Sequence, residues 1–139
     1  MSAGYLLDVN MVLALFWPPH SSHAAALRWF SKNAADGWAT CALTQSGFVR
    51  LMSNPGVTMG DVSAEDALER LKENCEAAGH EFWPMNLGFA EAVRLSGVKL
   101  EGHRQVTDIY LIGLAVKHKG RLVTFDKALG RLSKSVVVL

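Results

Sequence analysis

Residues 107–126, TDIYLIGLAVKHKGRLVTFD, constrain the fold more than any other stretch, because they join a capped helix, a basic turn and a buried strand with an aspartate near each end. Thr107 reads as an N-cap whose hydroxyl accepts from free N–H groups of the next turn, and Asp108 falls where the helix dipole favours a carboxylate. Ile109, Leu111, Ile112, Leu114, Ala115 and Val116 make the helix apolar almost all round, as in one packed on more than one side. Lys117, His118 and Lys119 suit its C-terminal end, and Gly120 stops it. Residues 122–125 then form a short buried strand that ends at Asp126. One αβ unit built this way directs both carboxylates to the same end of a sheet.

The rest of the chain repeats this alternation. Residues 4–8, GYLLD, read as a strand closing on Asp8, and residues 9–17 as a helix stopped by Pro18 and Pro19. A second helix spans about 21–32 and a second strand 38–43, after which Thr44 caps a helix that runs to Asn54 and has Gln45 in its first turn. Residues 63–79 make the clearest amphipathic helix, with Ser63 and Asp66 as a capping box. A weaker strand at 81–84, a helix at 87–96, a polar loop at 97–106 and strands at 121–125 and 135–139 complete the reading. Strands alternating with helices predict an α/β fold, a parallel sheet with helices on both faces. Ligands of such sheets bind beyond the carboxyl ends of the strands. Asp8, Gln45, Asp108 and Asp126 all lie at or near those ends.

Composition narrows the partners. A chain of 139 residues, half of them apolar, suffices for one domain over 1–139 with a sizeable core. The net charge of +1 excludes a polybasic tail, so any nucleic-acid binding must come from a local patch. Cys41 and Cys75 form neither a disulfide framework nor a zinc pattern, and reduced core thiols suit the cytoplasm. The N-terminus has no basic n-region, and Asp8 and Asn10 interrupt its apolar stretch, so neither a signal peptide nor a membrane span is expected.

Each aspartate taken singly has a plain explanation as a turn, cap or first-turn residue. Three acids that converge, however, repel one another unless a cation neutralises them. Carboxylate oxygens with no adjacent His or Cys favour Mg²⁺ or Mn²⁺ over zinc. Such an ion holds a phosphate, activates a water and stabilises a leaving oxygen.

Four segments, DVNMVLAL at 8–15, LTQSGFVRLMSNP at 43–55, HRQVTDIYLIGLA at 103–115 and GRLVTFDKAL at 120–129, carry a resemblance in order through nearly the whole chain. Together they resemble PIN-domain ribonucleases, specifically VapC-like toxins of type II toxin–antitoxin modules. The resemblance implies a PIN-like three-layer fold with a five-stranded parallel sheet in the order 3-2-1-4-5. It also implies RNA cleavage dependent on Mg²⁺ or Mn²⁺, a homodimer, and neutralisation by a VapB-like antitoxin. By the same resemblance Asp8 and Asp108 match the acids that ligate metal, and Asp126 matches the fourth acidic position. Gln45 departs from the pattern, since the family commonly has Glu there, and an amide offers one oxygen but no charge. On that basis Gln45 is a weak ligand at most, and Gln45→Glu is expected to tighten Mg²⁺ or Mn²⁺ binding.

Asn10 and Thr124 are candidates to orient the carboxylates through hydrogen bonds, the alternatives being a helix cap and an ordinary strand residue. Arg50, Arg104, Gln105 and Lys127 lie near the acid-bearing segments and are candidates for phosphate contact, or else solvated surface. His20 and His23 have HxxH spacing on a Pro/Ser-rich loop without a third ligand, which is no metal site. The aromatic residues of the first two helices are core, with room for a dimer or antitoxin groove. Two other functions remain: a catalytically weak RNA- or antitoxin-binding module, because Gln45 removes a charge, and a phosphotransfer domain using Asp8 as nucleophile.

Overall fold

A computed structural model describes residues 4–139 and shows a five-stranded parallel sheet in the order β3-β2-β1-β4-β5. The first three residues of the N-terminus, for which no basic n-region is expected, lie outside the described residues. The strands are β1 (Tyr5–Leu7), β2 (Trp38–Thr40), β3 (His80–Phe82), β4 (Arg121–Thr124) and β5 (Val136–Val138). Strands β1 and β4 pair side by side at the centre, with Leu7 opposite Val123.

Alternation along these short strands sorts side chains to two cores. Leu6, Ala39, Leu122 and Val136 face one way, onto α6 (Phe89–Ser96) and α7 (Val106–Lys117). Leu7, Trp38 and Val123 face the other way, onto α1 (Val9–Phe16), α2 (His23–Asn33), α3 (Ala42–Met52) and α5 (Ala64–Asn74). Three layers result, with both faces of the parallel sheet covered. Among the described residues, no helix is long and apolar enough to cross a membrane.

The helix starts differ from the sequence reading in ways that matter for the site. A 3-10 turn, His103–Gln105, leads directly into α7 at Val106, so Thr107 is inside the helix and exposed rather than capping it. Thr44 likewise is not a cap. Helix α3 starts at Ala42 behind Cys41, and the buried Thr44 hydroxyl accepts from the Cys41 N–H at 3.0 Å from within the first turn. Helix α5 stops at Asn74, well short of Gly79, and β3 begins one residue earlier than expected, at His80. Two short helices went unread: α4 (Pro55–Thr58), capped by Asn54, and α8 (Lys127–Gly130), capped by Asp126.

Candidate active site

The carboxyl end of β1 runs straight into α1, and Asp8 occupies the junction in extended conformation. Its Oδ1 accepts from the Met11 N–H at 2.8 Å, so the carboxylate caps the helix and faces its positive end. Its own N–H donates to the Val123 carbonyl at 3.1 Å, tying the junction to β4. Asp8 is buried, 6% exposed.

At the matching end of β4, Thr124 is buried and Asp126 follows two residues later on the surface. The Thr124 hydroxyl accepts from the Asp126 N–H at 3.0 Å and also bonds the Asp8 carboxylate, favouring its ionised form. Asp126 Oδ1 in turn accepts from the Ala128 N–H at 2.9 Å. Thr124 is therefore the side chain between two of the acids. Asp108, half-buried in the first turn of α7, completes the group from the other side of the sheet.

Electrostatics shows that the three carboxylates share one neighbourhood. Burial pushes Asp8 up from 3.8 to about 6, against the contacts from Thr124 and Met11, and the charges of Asp108 and Asp126 push it further in the same direction. Asp108 is raised by burial and then by Asp126. Neither ion pair seen among the described residues involves them, one joining Lys72 to Glu69 and the other Arg94 to Glu91. A set of oxygen donors that repel one another and lack a cationic side chain suits a hard divalent cation.

Among the described residues, no three His, Cys, Asp or Glu side chains are drawn together as a ready-made ligand cage. Asp8 and Asp126 each give one oxygen, Oδ1, to a helix N–H, which leaves the second oxygen of each carboxylate for a ligand.

The remaining candidates sort clearly. Asn10 is exposed inside the first turn of α1, and the cap it was offered belongs to Asp8. Gln45 is half-buried and its Nε2 donates to the Thr40 hydroxyl at 2.9 Å. Arg50 is exposed in the last turn of α3, on a groove of about 470 Å³ shared with Gln45, Leu68 and Leu71. Arg104 is exposed in the 3-10 turn before α7, and Gln105 closes that turn by accepting from the Glu101 N–H at 2.9 Å. Lys127 is exposed beside Asp126. His20 and His23 serve backbone: His20 Nδ1 accepts from the Ser22 N–H, and His23 Nδ1 lies 2.8 Å from the Ala14 carbonyl. Thr40 and His80, 2.8 Å apart, were not singled out by sequence, and a separation of forty positions leaves no local signal for the pairing.

The PIN domain family model matches residues 5–135. Ribonuclease VapC39 of Mycobacterium tuberculosis is 44% identical over 124 residues, 89% of each chain. Ribonuclease VapC44 of that organism is 40% identical over 124 residues, 89% of this chain and 87% of its own. A solved structure of VapBC2 from Rickettsia felis, bound to a DNA fragment from their promoter, matches with a TM-score of 0.60 and 15% identity. That match covers 97% of this chain and 96% of the other, and it is a likeness of fold.

Proposed function

The chain belongs to the PIN-domain family, among the VapC ribonucleases, and on that premise we propose that it is a divalent-metal-dependent endoribonuclease, the toxin of a type II toxin–antitoxin module. Asp8, Asp108 and Asp126 hold the ion, Mg²⁺ or Mn²⁺, within a single PIN domain. When bound, such an ion positions the scissile phosphate and lowers the pKa of the attacking water.

The chain's own groups do the rest. The Met11 N–H and the Thr124 hydroxyl orient Asp8, and the same hydroxyl ties Asp126 to it. Arg50, Arg104, Gln105 and Lys127 meet the RNA backbone. A VapB-like antitoxin neutralises the protein, which acts as a homodimer in the cytoplasm.

The observation that carries this reading is the PIN-family match over residues 5–135 together with the placement of Asp8 and Asp126 just beyond the ends of the paired strands β1 and β4 and of Asp108 in the first turn of α7. Labelled RNA incubated with antitoxin-free protein and Mn²⁺ tests it. Cleavage by the wild type that Asp108→Asn abolishes is the expected result, and equal cleavage by both proteins contradicts it. The second reading, a weak RNA- or antitoxin-binding module, draws on the neutral Gln45 and predicts RNA binding without turnover in the same assay.

A further inference from the structure

Thr40 ends β2 and is fully buried, yet its hydroxyl is surrounded by polar groups from three other places in the chain. Gln45 Nε2, from α3, donates to it at 2.9 Å. His80 Nε2, from β3, lies 2.8 Å away. Cys75, at the end of α5, brings its thiol to the same oxygen, and burial keeps that thiol protonated.

A hydroxyl has one hydrogen and two lone pairs. With one lone pair of Thr40 taken by the Gln45 amide, its hydrogen remains for His80 Nε2, and the Cys75 carbonyl beside the imidazole selects the tautomer that accepts it, with the proton on Nδ1. In that tautomer the chain runs from Gln45 through Thr40 and His80 to the Cys75 carbonyl, with position 45 as its donor end.

We infer that Gln45 is a positioning residue of this hydrogen-bond chain, pinning α3 to β2 and β3, and is not a ligand of the divalent ion. The cation centre is then a three-aspartate one. That last consequence rests on the proposed metal site, whereas the hydrogen-bond chain stands without it.

Glutamate at position 45 has no hydrogen to give at neutral pH. Thr40 would turn its hydrogen toward the new carboxylate, leaving His80 Nε2 without a donor. His80 recovers a partner by taking up a proton and donating to Thr40, so Gln45→Glu creates a charged Glu and His pair bridged by the hydroxyl. It does not add a fourth acid to the aspartates, contrary to the expectation from sequence that this substitution tightens cation binding.

Nitrogen NMR of the imidazoles in metal-free protein at neutral pH, paired with calorimetric titration by Mn²⁺, tests the inference. In wild type, His80 should be neutral with its proton on Nδ1. In Gln45→Glu it should be charged, with Mn²⁺ affinity unchanged. A gain of about tenfold or more in Mn²⁺ affinity, with the His80 signals unmoved, overturns the inference. Gln45→Ala tests it from the other direction: affinity should hold, and a fall of about tenfold would make Gln45 a ligand after all. If wild type binds no Mn²⁺, the metal-site reading fails, and the His80 tautomer alone decides the hydrogen-bond chain.

Discussion

Asp8 is held where a carboxylate is least comfortable, and its pH behaviour follows. A carboxyl whose folded pKa lies near 6, above the ordinary 3.8, keeps its proton longer in the native state than in the unfolded chain. Native stability therefore falls as pH rises from about 4 to about 6, and above that the loss is complete, at most about 3 kcal/mol. Asparagine has nearly the same shape and is an equally good N-cap. Metal-free Asp8→Asn should thus match wild type near pH 4 and exceed it by about 1–3 kcal/mol at pH 7.5 in urea unfolding. A variant less stable at both pH values would contradict the account. The position of Asp8 was legible in sequence, because an apolar strand stopping on a carboxylate ahead of a helix is a local pattern. The direction of the Gln45 side chain was not, because it depends on Thr40, His80 and Cys75, which only the fold brings together.

Helix α7 carries Asp108 and is positioned by its crossing with α6. At the crossing a Cβ on Gly113 would lie 2.2 Å from the Ala92 carbonyl oxygen, which is backbone and cannot step aside. Alanine improves helix propensity by about 1 kcal/mol. The clash pushes the helices apart and outweighs that gain, because overpacking costs about 1–3 kcal/mol and often more against backbone. Gly113→Ala should lower stability by about 2 kcal/mol, read from the midpoint of urea unfolding. A variant as stable as wild type would mean that α6 is free to move. The helix itself was evident from its apolar residues, but its start was placed at Thr107 because capping residues are read from local chemistry. The 3-10 turn His103–Gln105 enters α7 without a side-chain cap, so a Thr at the second helical position looked like the signal. The same reasoning misplaced Thr44, whose hydroxyl does bond the helix end but from the first turn rather than ahead of it.

Across the whole molecule, the parallel sheet and its two helical layers followed from the alternation of elements, whereas the strand order came from family resemblance. Order is what matters for function. With β1 and β4 adjacent, Asp8 and Asp126 fall at neighbouring strand ends, and α7 returns Asp108 to them although one hundred residues separate it from Asp8. The short α8 eluded sequence reading because four residues are too few for a period to show, yet its cap is Asp126, so it belongs to the site. The central claim is that these three aspartates hold one divalent ion. Calorimetric titration with Mn²⁺ of wild type, Asp8→Asn, Asp108→Asn and Asp126→Asn measures it directly. One site in wild type, weakened in all three variants, is the predicted result, and wild-type affinity retained in any one of them would contradict it.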